Sequence, residues 1–325
     1  SYAILAPNPH NRQPWLVDLS RDNEVTLLVD RDRLLPHTDP FNRQIVIGLG
    51  CFLEIFRMAA AEAGYETKID LFPDGARADA LDDRPVAVLS LSPGGTRDPL
   101  FAHVPDRRTL KEPYDTGAEV SQRTLDTILQ AARATQVAAT NDPDAVLALR
   151  SLSHEAIRIE IETPHTYKES VDLFRIGHKE VNANPDGIDF SGPLFEAMHL
   201  AGLFNRDVAM DPDSTAYKEG LKAVYANTDT AMAHIWQITP GNSRLEQIAA
   251  GQDWVRLNLA ATALGVGIQP LSQALQEYPE MSDLYSDIHD RLAPGGGTVQ
   301  MFARLGYAAP VPQSPRWPLE AKVLG

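Results

Sequence analysis

The sequence predicts an α+β protein. Two segments, residues 47–64 and 252–265, place apolar side chains at helical spacing and end at a glycine. Around them lie short β-prone runs, at residues 25–29, 67–72, 86–91 and 298–305. Hydrophobic residues make up 43% of the 325 residues, enough for a sizeable folded core to which both kinds of element contribute.

The two helical segments are similar to each other. A shift of 201 positions aligns Gly50 with Gly251 and Gly64 with Gly265, and gives four identities in fifteen positions. Because alanine-rich helices match by chance, the glycines at both ends carry most of the weight. A duplicated αβ unit is the hypothesis that this alignment supports.

In the first part of the chain, three prolines make residues 6–15 an ordered loop that leads into a strand. The other elements follow in order: the strand over 25–29, a proline-containing loop at 34–41, the first helix and two strands. A break of Pro and Gly at residues 92–96 ends this part. A new unit is predicted to begin near Val104.

In the second part, Ser121 is the predicted N-cap of a helix, and the helical pattern continues over residues 145–157. Residues 182–213 are first polar and turn-rich and then of mixed pattern, and we expect a lid-like insertion there. The second strong helix and the final strand follow. Four prolines make the tail at residues 309–318 extended.

Composition excludes several classes of partner. With 29 Lys+Arg against 44 Asp+Glu the net charge is −15, so the surface cannot supply the counterion release that drives non-specific nucleic-acid binding. The sequence has no uninterrupted run of about 18 apolar residues, which a membrane-spanning helix would require. We therefore expect neither nucleic acid nor membrane as a partner, and we expect any phosphate to be held in one small cationic pocket.

Sequence motifs for several other chemistries are absent. The glycine pairs that begin at Gly48 and Gly265 lack the third glycine of a dinucleotide loop, and no Gly-Lys-Ser/Thr follows a glycine run. The nine histidines show no metal-ligand spacing, and the single Cys51 allows neither a disulfide nor a cysteine-built zinc site. No Gly-x-Ser-x-Gly elbow occurs. The sequence predicts no metal site and no nucleophilic residue.

A short cationic segment is the strongest candidate for ligand binding. Arg107, Arg108, Thr109 and Lys111 place three cations and a hydroxyl within five residues of an acidic chain. Forked guanidinium groups, an ammonium and a hydroxyl suit a small organic phosphate. The alternative is a solvated run of charge, and spacing alone favours neither.

The loop that ends at Trp15 offers a similar choice. Asn11 and Gln13 belong either to a proline turn anchored by a buried tryptophan or to a rigid set of amides that meets the edge of a heteroaromatic ring. The residues alone leave both interpretations open.

Four segments, in order along nearly the whole chain, resemble the nitroreductase-like family of FMN-binding proteins. Ala6–Trp15 resembles its Asn-x-Gln-Pro-Trp loop, and Arg107–Lys111 its opening Arg-Arg-Ser-x-Arg/Lys motif. Leu264–Ser272 is similar to the turn whose backbone faces the flavin N5. Gly306–Pro318 is similar to the Gly-Tyr, Pro-rich, Arg-Pro tail. The resemblance is strongest to the Acg-type subgroup, in which two nitroreductase halves are joined in one chain.

The resemblance implies a nitroreductase-like fold with antiparallel-type sheets flanked by helices, internally duplicated as a pseudo-dimer. The implied halves are residues 1–103 and 104–325, the second with the lid-like insertion. Since the first half carries the Gln-Pro-Trp loop and the second the phosphate motif, the two complete one site. One FMN per chain is therefore expected.

Three groups of FMN-binding residues follow from the resemblance. They are Arg107, Arg108, Thr109, Lys111 and Arg316 at the phosphate, Pro7, Asn8, Pro9, Asn11 and Gln13 in the loop along the ring, and Pro270, Leu271, Ser272 and Gln273 in the turn near N5. Thr109 stands where the family more often has Ser, which keeps the hydroxyl. Ser272 and Gln273 stand where some members have Glu-Gly, so the contact at N5 departs from the family pattern.

The implied function is an FMN-dependent NAD(P)H oxidoreductase of the nitroreductase or quinone-reductase type. Such an enzyme works by ping-pong hydride transfer on a small electron acceptor, and no protein residue is required as a nucleophile. The alternative is a protein that sequesters FMN beneath the lid with little or no turnover. A third interpretation, an acidic scaffold without a cofactor, requires all four matches to be accidental.

Oligomeric state and compartment follow only as expectations. A monomer is favoured because the two halves satisfy each other's interface, with a homodimer as the alternative. Use of NAD(P)H favours the cytoplasm, whereas a first residue other than Met is compatible with the loss of an export leader.

Overall fold

The computed structural model describes residues 1–324, which form eleven strands and ten α-helices joined by short 3₁₀ turns. The strands are β1 (Trp15–Asp18), β2 (Glu24–Val29), β3 (Tyr65–Leu71), β4 (Ala87–Pro93), β5 (Gln136–Thr140), β6 (Phe174–Ile176), β7 (Ile188–Phe190), β8 (Ala233–Thr239), β9 (Gly267–Pro270), β10 (Thr298–Gly306) and β11 (Val323–Leu324). The helices are α1 (Arg43–Glu62), α2 (Gln122–Leu129), α3 (Pro143–Glu162), α4 (Pro164–Asp172), α5 (Gly177–Ala183), α6 (Pro193–Leu200), α7 (Arg206–Met210), α8 (Thr215–Asp229), α9 (Arg244–Ala263) and α10 (Ser282–Leu292).

Two antiparallel sheets share one strand order. The first contains β1–β2–β4–β3 and the second β5–β8–β10–β9, and every neighbouring pair within these sets is antiparallel. In each set a long helix, α1 or α9, connects the second strand to the third along the chain. The α+β class with antiparallel sheets flanked by helices is confirmed. The shared order supports the predicted duplication, while the division at residues 103 and 104 stays a prediction.

The two long helices cross at a pair of glycines. A Cβ on Gly50 would lie 2.4 Å from Ile248 O, and one on Gly251 would lie 2.0 Å from Ile47 O, so only glycine allows the backbones this close. The Cys51 thiol donates to Gly251 O at 3.1 Å. Gly50 and Gly251 are the pair that the 201-residue shift aligns. Contact between equivalent residues is what two related halves packed about a two-fold axis produce.

A buried ion cluster also joins α1 to α9. Arg256 donates to Glu54 at 3.0 Å, to Asp98 at 2.6 Å and to Ala131 O at 2.7 Å. All three charged side chains are buried. Since loss of one partner would leave an unpaired buried charge, the cluster disfavours other registers of the two helices.

Helix α1 is the one helix within residues 1–324 with the length and composition of a membrane span, at a mean hydropathy of 1.6. Most of that stretch, 72%, is buried inside the protein, where it packs against α9 and β3. Its apolar character is accounted for by its place in the core.

A helical excursion, residues 164–229, lies between α3 and β8. It contains α4 to α8 and the parallel pair β6–β7. It has a small core of its own, in which the rings of Phe174, Phe190 and Phe204 are in contact. The lid-like insertion predicted at 182–213 falls inside this excursion, which has wider limits and more helix than the sequence indicated.

The last segment of the chain returns to the first half. β11 pairs in parallel with β1, with Val323 opposite Val17. The buried Lys322 donates to Gln13 O at 2.9 Å. Residues 307–318 have no regular secondary structure, as their prolines predict. This segment carries Arg316 across the molecule to the N-terminal loop.

The predicted elements occur, but several have different ends. α1 begins at residue 43 and α9 at residue 244, both earlier than predicted. Ser121 caps α2 as predicted, since its side chain accepts from Thr124 N. Strands β5, β8 and β11 are not among the elements that the sequence pattern indicated.

Candidate functional site

The predicted phosphate-binding cations come from distant parts of the chain. Arg107, Arg108 and Lys111 precede α2, whereas Arg316 belongs to the tail. Arg316 Nε donates to Ile4 O at 2.9 Å, and its Nη1 donates to Asn11 Oδ1 at 2.6 Å. We refer to Arg107, Arg108, Lys111 and Arg316 as the phosphate cluster.

The arginines of the phosphate cluster carry poorly compensated charge. Burial, Arg107 and Arg108 together lower the pKa of Arg316 to about 9. Burial likewise lowers the pKa of Arg107 to about 10. Within residues 1–324 none of the three forms an ion pair, and the buried Arg107 Nη1 and Arg108 Nε have no hydrogen-bond partner. Such a group of donors fits a small anion.

Lys111 lies within electrostatic range of His10 and Glu160. Burial lowers its pKa, with Glu160 acting in the opposite direction, although its side chain remains accessible to water. The ammonium group of Lys111 is therefore surrounded by protein atoms but still reaches water. Burial, Lys111 and Arg12 also lower the pKa of His10 to about 4, so its imidazole is neutral at pH 7. The half-buried Thr109 lies between these cations in the chain.

The segment that carries Arg107 to Lys111 is held by the second sheet. Leu110 N donates to Ile268 O at 3.1 Å. The buried Arg304 of β10 donates to Glu112 O at 2.7 Å and lies over the Tyr114 ring at 3.8 Å from its centre. Gly306 leaves room for that ring, since a Cβ there would meet it at 2.3 Å. The second half of the chain thus positions the cationic segment.

The N-terminal loop is a tight, internally bonded structure. Asn8 Oδ1 accepts from Gln13 N at 2.7 Å, and Asn8 Nδ2 donates to Ala6 O at 3.0 Å. His10, Asn11 and Gln13 have φ values of 46°, 52° and 52°, a left-handed backbone that is uncommon outside glycine. Three such residues in four indicate a loop held in a specific shape by its surroundings.

The same loop lies against α1. A Cβ on Gly48 would meet Asn8 Cβ at 3.1 Å and Pro9 Cδ at 3.4 Å. Pro7 is buried, whereas Asn8, Pro9 and Asn11 keep partial exposure. Asn11 is the residue of this loop that contacts the phosphate cluster directly, through Arg316.

Gln13 is fully buried and connects three segments of the chain. Its Nε2 donates to Pro185 O at 2.7 Å, and its Oε1 accepts from Trp317 N at 2.9 Å. Its backbone carbonyl accepts from Lys322. These contacts use both ends of the side-chain amide, so Gln13 supports the loop from behind. That it contacts FMN stays a prediction.

The turn predicted near N5 follows β9. Pro270 ends the strand opposite Ala303, and Leu271 N donates to Phe302 O at 2.9 Å. Ser272 and Gln273 then begin a 3₁₀ turn, and the Gln273 Oε1 atom is buried without a partner among residues 1–324. Where some family members have Glu-Gly, this turn therefore has Ser272 and Gln273, and Gln273 offers a side-chain oxygen as acceptor.

Glu160 contacts this turn through Gln276 and acts electrostatically on Lys111. Gln276 Nε2 donates to Glu160 Oε2 at 3.0 Å. Burial raises the pKa of Glu160 to about 7, against the hydrogen bonds that it accepts. The sequence analysis did not single out Glu160, because its setting depends on contacts between α3 and a turn more than 100 residues away.

A cleft lies elsewhere, within the excursion. It has a volume of about 800 Å³, and none of the predicted residues lines it. Two of the charged side chains that line it, Arg206 and Glu180, pair with each other at 2.6 Å. Among residues 1–324 no three His, Cys, Asp or Glu side chains are grouped as metal ligands.

Two mycobacterial proteins are similar to almost the whole chain. One, from Mycobacterium tuberculosis H37Rv, has a name that describes it provisionally as an NAD(P)H nitroreductase. It is 26% identical over 334 residues, which cover 97% of this chain and 86% of that protein. The second, Acg of the same strain, carries the same provisional description and is 27% identical over 333 residues, 98% of this chain and 92% of Acg. The resemblance to Acg-type nitroreductase-like proteins is thereby confirmed.

Solved structures give weaker similarities. The FMN-dependent nitroreductase NfnB from Mycobacterium smegmatis, in complex with NADPH, is 16% identical, with 68% of this chain and 96% of that chain covered at a TM-score of 0.38. A provisionally assigned nitroreductase from Anabaena variabilis is 13% identical, with 94% and 82% covered at a TM-score of 0.36. Both TM-scores are low. No protein-family profile matches the chain.

Proposed function

We propose that the chain binds one FMN between its two halves and is an FMN-dependent NAD(P)H oxidoreductase. The observation that carries the proposal is in the phosphate cluster: Arg107 and Arg108 lie close enough to Arg316 to lower its pKa, and the three arginines form no ion pair within residues 1–324. Relatives over nearly the whole chain are provisionally described as NAD(P)H nitroreductases, which supports the same reading.

In the proposed site the phosphate cluster binds the FMN phosphate. That group carries a charge of about −2 and would satisfy the unpartnered N–H groups of Arg107 and Arg108. Thr109 contributes its hydroxyl as a further donor. Since the chain as a whole is acidic, binding energy for the anion is concentrated in these few cations.

The rest of the FMN lies along the N-terminal loop. Pro7, Asn8, Pro9 and Asn11 flank the ring system, and Gln13 keeps the loop in its left-handed shape. The turn at Pro270, Leu271, Ser272 and Gln273 lies at the N5 edge. The buried Gln273 Oε1 has no donor within residues 1–324 and is suited to accept a hydrogen bond from the N–H that N5 carries when the flavin is reduced.

Bound FMN supplies the redox chemistry: it takes a hydride from NAD(P)H and passes the electrons to an electron-poor acceptor, such as a nitroaromatic or a quinone, in alternate half-reactions. The residues of the chain bind the FMN, orient it and shield it from solvent. His10 is neutral at pH 7 and adds no charge to the proposed site.

Anaerobic mixing of the FMN-loaded protein with excess NADPH tests the proposal. We expect one FMN per chain by titration, and loss of the visible flavin absorption within seconds to minutes, followed by its return when a quinone is added. A protein that binds no FMN, or that stays yellow over minutes, would contradict the oxidoreductase.

A second function, FMN sequestration, is favoured by one observation. The excursion is docked directly on the N-terminal loop, through Pro185 O to Gln13 and Gly187 N to Asn11 O. A lid held in this way limits stacking of a second ring on the flavin. The NADPH experiment separates the two functions, because a sequestering protein binds FMN and leaves it oxidised.

A further inference from the structure

One acidic side chain of the excursion makes contacts with three other segments. Asp186 is 4% exposed, and its carboxylate accepts from Arg33 Nη1, from Arg175 Nη2 at 2.6 Å and from Trp317 Nε1 at 3.0 Å. Arg33 follows β2, Arg175 lies in β6, and Trp317 belongs to the tail. We call Asp186, Arg33, Arg175 and Trp317 the latch.

Backbone contacts beside the latch attach the excursion to the N-terminal loop. Pro185 O accepts from Gln13 Nε2, and Gly187 N donates to Asn11 O at 3.4 Å. Gly187 has φ = 72°, and a Cβ there would lie 2.3 Å from Leu173 O, so glycine is required for this turn. Pro185 and Gly187, on either side of Asp186, therefore contact the N-terminal loop, which is proposed to bind FMN.

The latch is also continuous with the phosphate cluster. Trp317, whose indole donates to Asp186, directly follows Arg316, and its backbone N–H donates to Gln13 Oε1. Arg316 in turn contacts Asn11 Oδ1. Asp186 thus holds the side chain of Trp317, and Gln13 holds the backbone of Trp317, directly after Arg316.

We propose that Asp186 is a positioning residue of the FMN site, which holds the excursion closed and sets the place of Arg316 and Asn11 at the phosphate. This inference rests on the proposed function. The carboxylate is shared by two arginines. Arg175 belongs to the excursion and would move with Asp186, whereas Arg33 would lose this acidic partner if the excursion lifted. Opening therefore breaks the hydrogen bonds that Asp186 accepts from Arg33 and Trp317, and release of FMN is slowed accordingly.

The test compares Asp186→Asn with Asp189→Asn in the FMN-loaded protein. Asp189 lies three residues away in the same excursion, is exposed and forms no ion pair within residues 1–324. FMN release is followed by the recovery of flavin fluorescence after dilution. We expect release from Asp186→Asn to be roughly tenfold faster or more, and release from Asp189→Asn to match the wild type. Asp186→Glu should restore part of the slow release, which a purely structural role of the site would not predict.

A second measurement reports on the latch without FMN. Acrylamide quenching of tryptophan fluorescence in the apoprotein should increase in Asp186→Asn, because Trp317 is released, and stay unchanged in Asp189→Asn. Trp317→Phe, which removes one donor and keeps both arginines, serves if Asp186→Asn does not fold. It too should release FMN faster.

Equal FMN release from Asp186→Asn, Trp317→Phe and Asp189→Asn would overturn the positioning role while leaving FMN binding intact. Absence of FMN binding in the wild type would overturn the proposed function and the positioning role together. Quenching that is unchanged in Asp186→Asn would show that the latch does not hold the tail.

Discussion

Arg107 is buried, one of its guanidinium nitrogens has no hydrogen-bond partner in the described part of the chain, and its charged neighbours include Arg108 and Arg316. This arrangement destabilises the apoprotein, since desolvated like charges repel and the lost hydrogen bond to water is not replaced. It is favourable only when an anion binds. Site residues of this kind sacrifice stability for affinity.

Arg107→Met separates these two effects. We expect FMN affinity to fall roughly ten- to a hundredfold, which corresponds to about 1.5–3 kcal/mol for hydrogen bonds to a charged group. Affinity for riboflavin, which lacks the phosphate, should hardly change. The melting temperature of the apoprotein should stay equal or rise. Fluorescence titration with both flavins and a thermal melt measure the three quantities.

The exposed Arg123 in α2 provides the control. Arg123→Met removes the same charge from an exposed position outside the phosphate cluster and should leave both flavin affinities unchanged. Equal losses of FMN and riboflavin affinity in Arg107→Met would place Arg107 away from the phosphate.

Glu160 gives the protein a predictable dependence on pH. Burial raises its pKa from 4.5 to about 7, more than the hydrogen bonds from Gln276 and Ser170 lower it. Between these values the folded protein binds more protons than the unfolded chain, so this group lowers the free energy of unfolding as pH rises. Urea unfolding at several pH values should show a flatter profile for Glu160→Gln than for the wild type over this window.

Glu162→Gln is the matched control on the same helix, because Glu162 is exposed and pairs with Arg158. Its profile between pH 4.5 and 7 should follow that of the wild type. A Glu160→Gln profile as steep as the wild type would mean that Glu160 titrates normally.

At the scale of elements, the crossing of α1 and α9 is the most constrained contact. The neighbours of a Cβ on Gly251 would be backbone atoms, which cannot rotate away. Gly251→Ala should lower the free energy of unfolding by about 1–3 kcal/mol through overpacking. Gly220→Ala in the exposed face of α8 has open space and should raise it by about 0.5–1 kcal/mol through helix propensity. Chemical unfolding of both variants checks the pair of opposite signs.

The sequence predicts these elements to different degrees. The centres of α1 and α9 follow from apolar spacing, whereas the first two turns of α9 escape that pattern. The capping box of Ser243 and Glu246 was the available signal for its start. β8 was missed because His234 and Gln237 interrupt its apolar run, yet both are fully buried. Their setting depends on neighbouring strands that local spacing does not reveal.

The site shows the same division. The cations were identifiable because they form one short segment plus one motif-bearing tail, and such patterns are local. The excursion was predicted only in outline, and Asp186 not at all. Its partners Arg33 and Trp317 lie more than 100 residues away on either side. Contacts at that separation arise from the tertiary fold and leave no trace in the spacing of residues.

At the scale of the whole molecule, net charge and topology agree. A chain of −15 disfavours polyanions, while Arg107 and Arg108 lie close to Arg316 of the tail. The two sheets repeat one strand order, and the tail of the second half returns as β11 to the edge of the first sheet. The proposed FMN site would therefore draw on both predicted halves of the chain.

Because one chain supplies both halves, binding should not depend on protein concentration. We expect one FMN per chain of 35.6 kDa, with occupancy at a fixed free FMN concentration unchanged over about a hundredfold dilution of the protein. A site shared between two chains would lose FMN on dilution as the chains separate. Light scattering together with flavin absorbance measures mass and occupancy in one experiment. Occupancy that falls with dilution would indicate a site completed by a second chain, and two FMN per chain would indicate that each half binds its own.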